Sequence, residues 1–192
     1  MKYEPLVPIG YHSFKIPVSK LPMQEMIEWL VDNKAATTIG ALGLHEDTRA
    51  EDIPIPDDLE CFQVLMRRID VLVQKAKLEN VKLELEHIWG QVQDTGQCTA
   101  YHYHVNPEKG ANMFDVSFVF YLQASPTHGV LEFAVPLHGV DYSRAIYPET
   151  GTLITFPSHI PHFTRKNAAN TPRVVVSGNY RGIPYGRQRR QI

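Results

Sequence analysis

His102 and His104 stand two residues apart in the run Tyr101–Asn106, and His162 and Arg173 follow much later in the chain. In a strand, residues i and i+2 face the same side, with a rise of roughly 3.3 Å per residue. The two imidazoles can therefore converge on one point. A third imidazole from a distant strand, His162, would complete a three-nitrogen face around a divalent metal. Imidazole donors suit non-haem iron as well as zinc, and spacing alone does not choose between them. Arg173 would offer such a site a fixed cation for an anionic co-ligand. Taken singly, each feature has a plain alternative: half-buried strand histidines, or an arginine at a strand start with its head in water. The chemical reading rests on the set, together with the glycine and Phe-Pro signals around it.

The chain has nine histidines, so most need an ordinary account. His12, His45 and His87 fall in loops or polar strand positions, and His128 and His138 flank glycines as turn residues. Pro161 separates His159 from His162, which argues against a helical pair and leaves His159 at most at the mouth of the site.

These residues need a rigid support, and the pattern supplies one. A short strand is expected at residues 14–18. Met23, Met26, Ile27 and Leu30 recur at helical spacing, which predicts a helix over 23–32 with Pro22 in its first turn. Residues 35–52, with Gly40 and Gly43, read as loop, and Ile53–Pro56 as extended chain. Asp57 or Asp58 should cap a long helix reaching Asn80, with Phe62, Leu65, Ile69 and Leu72 on one stripe. From Val81 the period changes to two. Strands are expected from Val81 to Val92 and at residues 99–105, 116–123, 130–135, 152–156 and 173–180, separated by Gly, Pro and Asn. Several short strands without intervening helices point to a sandwich or barrel: helices first, then a jelly-roll. In the last strand, Arg173, Val175 and Ser177 share one face, and Val174 and Val176 the other.

The 192 residues suit a single domain, divided here into a helical support (1–80), a β core (81–182) and a basic tail (183–192). A formal charge of −2 gives no bulk attraction to nucleic acid or anionic membrane. Arg181, Arg187, Arg189 and Arg190 cluster near the end, as a solvated tail or a weak phosphate contact. The two cysteines, Cys61 and Cys98, have no framework spacing and fit a reducing, cytoplasmic setting. Residues 1–11 lack a signal-peptide pattern, and no apolar run approaches membrane-spanning length.

From Trp89 to Tyr180 the chain resembles the iron(II)/2-oxoglutarate-dependent oxygenases. It is most similar to a subgroup common in bacteria and phages, and more loosely to the prolyl hydroxylases. The matching landmarks are Trp89, Gly96, His102-Tyr103-His104, the strand VSFVFYL, Gly129–Pro136, Pro148, Gly151, Phe156-Pro157-Ser158, His162, and Arg173 leading RVVVSGN. The resemblance implies a double-stranded β-helix of the jelly-roll, cupin-like class with a long supporting helix. It implies an oxidoreductase that uses Fe(II) and 2-oxoglutarate as cosubstrate to hydroxylate a substrate the sequence does not identify. The metal would sit on His102, His104 and His162, and the far carboxylate of 2-oxoglutarate on Arg173 with help from Ser177. Most of the family uses H-x-D or H-x-E. Here the carboxylate position is His104 in one frame and Asn106 in the other, and neither is acidic. Gly96 favours the His102 frame, with Asn106 as the alternative ligand. Asp115 or Glu132 could serve only if the fold brings one near. Tyr101 and Tyr103 should point away from the histidines. Two other functions compete: a three-histidine cupin-type dioxygenase that uses no 2-oxoglutarate, and a non-enzymatic jelly-roll binding or assembly module.

Overall fold

The computed structural model describes residues 10–34, 50–76, 81–104, 115–137 and 140–185. Asn106, Asn80, His45, His138, the 35–49 part of the expected loop and the arginines at 187, 189 and 190 lie outside the described residues. The elements in order are β1 (His12–Lys15), a 3-10 turn (Val18–Lys20), α1 (Met23–Asp32), β2 (Ile53–Pro54), α2 (Glu60–Ala76), β3 (Val81–Gln93), β4 (Val116–Gln123), β5 (Leu131–Leu137), β6 (Val140–Ile146), β7 (Thr152–Pro157), β8 (His162–Thr164) and β9 (Arg173–Pro184). The chain is mainly β. Strands β1-β7-β4-β9-β3-β2 form one antiparallel sheet, and β6-β5-β8 a second.

Alternation along the strands sorts the residues of the large sheet onto two faces. Val92, Phe118, Phe120, Leu122, Leu153, Val174 and Val176 point outward and pack with Met26 and Leu30 of α1 and Phe62, Leu65, Ile69 and Val73 of α2. The stripe on α2 therefore lies against the sheet, while Val71 remains 54% exposed. Gly90 permits the closest approach: a Cβ there would sit 2.1 Å from a Leu30 methyl. The opposite face carries Val119, Tyr121, Ile154, Phe156 and Val175, which pack with Leu131, Phe133 and Ile146 of the smaller sheet. The space between the sheets holds the candidate site.

A β-bulge between Leu85 and His87 changes the parity of β3. Before it, odd residues Val81 and Leu83 face the helices; after it, even residues Ile88 and Val92 do. Trp89, Gln91 and Gln93 are thereby turned toward the interior.

Four expectations need correction. Residues 99–104, the described part of the expected 99–105 strand, form no strand; they make one isolated bridge with β8, His102 with His162. The ladder does not lengthen because its next bonds are out of register: His104 N–H reaches the Ser158 carbonyl (2.9 Å) where the chain turns at 158–160, and Thr164 N–H goes to the Thr99 carbonyl (3.1 Å) rather than to that of Ala100. The hairpin partner β6 was not anticipated, since Ser143, Arg144 and Ala145 are all exposed and give little apolar alternation. The three-residue β8 is too short to show a period. Finally, α2 begins at Glu60 rather than at an aspartate cap. Asp57 and Asp58 lie in a turn closed by Leu59 N–H to the Pro56 carbonyl (3.3 Å), and Gln63 Nε2 donates to the Asp57 carbonyl (2.9 Å).

Candidate metal centre

His162 opens β8, and the segment carrying His102 is tied to it by reciprocal backbone bonds. His102 N–H donates to the His162 carbonyl (3.0 Å), and His162 N–H to the His102 carbonyl (2.8 Å). His104 N–H donates to the Ser158 carbonyl (2.9 Å). These contacts bring one ring nitrogen of each histidine within 4.8 Å of the others. The ring centroids are 4.3 Å apart for His102 and His162, 4.9 Å for His102 and His104, and 5.1 Å for His104 and His162.

Two of the rings have their tautomer set by the backbone. His102 Nδ1 lies 2.7 Å from the Ala100 carbonyl, and His162 Nδ1 lies 2.9 Å from the Ile160 carbonyl. A carbonyl only accepts, so each Nδ1 carries the proton and Nε2 keeps a free lone pair. Aromatic neighbours hold the rings in place: Phe156 edge-on to His162 at 4.7 Å, and Trp89 against His104 at 5.6 Å. Burial pushes His104 down to about 3, with the neighbouring histidines adding to the effect, and burial likewise pushes His162 down to about 4. Both rings are therefore neutral at physiological pH, the form a metal requires. The donor set fits a divalent first-row metal.

The histidines share a cavity of about 440 Å³ with Trp89, Gln91, Thr99, Tyr101, Arg173 and Ser177, among others. Arg173 is 2% exposed and starts β9 on its inward face. Its Nη1 donates to Gln93 Oε1 (2.6 Å), and its guanidinium stands 5.3 Å from the ring centre of Tyr121. Arg173 Nε and Tyr121 Oη are both buried without a hydrogen-bond partner. No carboxylate among the described residues pairs with Arg173. Burial lowers its pKa and raises that of Tyr121, the nearby opposite group working against each shift. A desolvated cation with an unused donor is costly unless an anion joins it.

The described residues thus bring together His102, His104, His162, Arg173 and Ser177, with Ser177 on the inward face of β9 and lining the cavity. Neither conditional carboxylate joins them. Glu132 accepts from Arg165 Nε (2.7 Å), and Asp115 accepts from Gly182 N–H (2.8 Å). His159 is exposed, Tyr103 is 59% exposed, and His128 is a turn residue bonded to Ser125 and Thr171. Tyr101 borders the cavity, but its side chain points away as expected: it is 53% exposed, its ring lies against Phe163 (6.4 Å), and its hydroxyl donates to the Ala134 carbonyl (3.2 Å). Sequence reasoning missed Gln91, Gln93, Thr99 and Tyr121. The alternation of glutamine around Val92 was the available signal, since buried strand glutamines must find partners.

No protein-family model and no curated protein matches this chain. Solved structures do. A Pseudomonas putida prolyl-4-hydroxylase superposes with a TM-score of 0.62 at 19% identity, over 91% of this chain and 93% of that one. HygX from Streptomyces hygroscopicus, solved with nickel and 2-oxoglutarate bound, gives 0.65 at 13% identity, covering 90% and 82%. The fold is that of the Fe(II)/2-oxoglutarate oxygenases. A prolyl hydroxylase from Trichoplax adhaerens, in complex with a peptide of hypoxia inducible factor, gives 0.64 at 16% identity over 90% and 83%. At these identities the likeness establishes the oxygenase fold, a jelly-roll with both sheets in place. No described helix is long and apolar enough to cross a membrane.

Proposed function

We propose that the protein is an Fe(II)/2-oxoglutarate-dependent dioxygenase that hydroxylates an organic substrate. The observation that carries this reading is the placement of three imidazoles and one buried, under-satisfied guanidinium in the same cavity. Nε2 of His102 and of His162, with one ring nitrogen of His104, would hold the metal. The bound iron and 2-oxoglutarate would supply oxygen activation coupled to oxidative decarboxylation. The remaining work falls to the chain. Arg173 orients the cosubstrate by its far carboxylate, with its unused Nε–H and the Tyr121 hydroxyl as donors and Ser177 on the same face. Phe156, Phe133 and Val175 exclude water from one side. Three neutral donors leave the metal its full double charge, which favours a dianionic co-ligand.

Anaerobic titration with Fe(II) and then 2-oxoglutarate, followed by the visible charge-transfer band, tests the site. Succinate formation under oxygen tests the chemistry. The absence of a carboxylate from the histidine cluster favours one second reading, a three-histidine dioxygenase without 2-oxoglutarate. Oxygen uptake that is indifferent to 2-oxoglutarate would select it. Protein that stays metal-free after expression with iron, and shows no thermal shift with 2-oxoglutarate, would instead mark a binding or assembly module.

A further inference from the structure

Five side chains form one hydrogen-bonded file along a wall of the cavity, and every donor points the same way. Arg173 Nη1–H donates to Gln93 Oε1 (2.6 Å), and Gln93 Nε2–H to Thr99 Oγ1 (2.7 Å). Thr99 Oγ1–H donates to Gln91 Oε1 (3.3 Å), and Gln91 Nε2–H to Asp52 Oδ1 (2.7 Å). The file begins on a cation and ends on a carboxylate, so each link polarises the next in the same sense.

Asp52 ends the file at the exposed mouth of the cavity, and among the described residues it is the one carboxylate lining that cavity. Its backbone is fixed on both sides. Ala50 N–H donates to the Cys98 carbonyl (3.3 Å), and Ile53 and Pro54 pair with Gly90 and Trp89. No lysine or arginine among the described residues pairs with it. Trp89 lines the same cavity and offers an aromatic face, which attracts cations. The cavity is therefore charged oppositely at its two ends: Arg173 deep, Asp52 at the mouth.

We infer that the substrate carries a cationic nitrogen group, an ammonium or guanidinium, which Asp52 reads at the cavity mouth beside Trp89. The inference rests on the proposed function only in taking this cavity as the substrate site. Charge also dictates the order of occupants. Arg173 repels a cation from the deep end, which is left to an anion, and Asp52 repels an anion that binds the wrong way round.

The test is a binding measurement that needs no turnover. The chain has two tryptophans, and Trp29 packs edge-on to Phe62 (5.5 Å) on the helix side of the sheet. Trp29→Phe therefore leaves Trp89 as the single indole reporter. The probes are n-butylguanidinium, its neutral isostere n-butylurea, and butyrate. Each is titrated by Trp89 fluorescence into metal-free protein, and into protein holding Zn(II) and 2-oxoglutarate. The expected preference for the guanidinium over the urea is about fivefold, weakening with added salt. Asp52→Asn keeps an acceptor for Gln91 and should level the preference. Glu51→Gln, which changes the adjacent carboxylate outside the cavity lining, should keep it. Equal affinity for guanidinium and urea, or a preference that survives Asp52→Asn, overturns the inference. A separate 2-oxoglutarate titration keeps the two readings apart. Cation preference without 2-oxoglutarate binding sinks the oxygenase reading alone, and the reverse sinks this one alone.

Discussion

Along β9, neighbouring residues live in different media. Val174 and Val176 are fully buried against the two helices, while Arg173 and Ser177 line the cavity. The same contrast runs across the whole large sheet. Its outer face is a continuous apolar layer, and its inner face carries glutamines, a threonine contact and a guanidinium with an unused donor. The outer face gives stability through burial; the inner face retains polar groups whose full satisfaction awaits a ligand. Mutations on the two faces should therefore fail in different ways.

The largest effect belongs to the helix side. Leu65 is wholly buried, so Leu65→Asp loses its packing and buries an unpaired carboxylate. The combined cost should reach at least about 4 kcal/mol, close to the whole stability of many domains. Thermal melting and soluble yield measure this, and a wild-type melt would show that α2 does not support the sheet. On the cavity side, His162→Ala should leave the fold in place and abolish stoichiometric iron binding, read by metal analysis after dialysis. Full iron content in that variant would remove His162 from the site. Arg173→Ala should retain iron and weaken 2-oxoglutarate binding by about 3–5 kcal/mol, on the order of a hundred- to several-thousand-fold. Arg173→Lys should recover only part of that, lacking the bidentate fork. An unchanged dissociation constant would take Arg173 out of the site.

The smallest effect is a difference in acid sensitivity. His104 and His162 sit at about 3 and about 4 in the folded protein, below the roughly 6.5 of an unfolded imidazole. Below that value the unfolded metal-free chain takes up protons that the folded one refuses. Their contribution is thus complete above about pH 6.5 and declines toward pH 4. Between pH 6.5 and 5.5 the metal-free protein should lose no more than about 2 kcal/mol from this source. Replacing both rings with glutamine should flatten that slope in urea titrations. An unaltered slope would assign the acid sensitivity to other groups.

The parts legible from sequence were those with a strong period or a strong neighbour. Met23–Asp32 stands where its apolar spacing placed it, and the alternation in Arg173–Ser177 matches the observed split between helices and cavity. The histidine cluster was readable because His-x-His is short-range. The parts that were not legible depend on pairing at a distance. β6 exposes Ser143, Arg144 and Ala145 and buries Ile146, which leaves no apolar alternation to read; it forms because β5 supplies a pairing partner residue for residue. The file from Arg173 to Asp52 joins three separate stretches of chain, and no local signal connects Gln93 to Arg173. Tyr101 keeps the outward direction that alternation with His102 implies, although its segment forms only an isolated bridge.

The bulge at Leu85/His87 gives β3 one residue to spare. Glu86 is the extra residue that shifts the pairing by one. Exchanging its side chain leaves the count intact. Deleting it would pair Leu85 and His87 with the consecutive residues Tyr180 and Asn179, restore strict alternation, and leave Trp89, Gln91 and Gln93 facing the cavity. A residue inserted after His87, if no second bulge absorbs it, would turn those three into the helix-facing layer, with Ile88 and Val92 in the cavity. One-residue deletions and insertions over residues 84–88, scored by folding and by iron content, should therefore differ, the deletions being tolerated and the insertions not. The site is written in this strand partly as a length, and the spare residue is the margin by which that length can shrink.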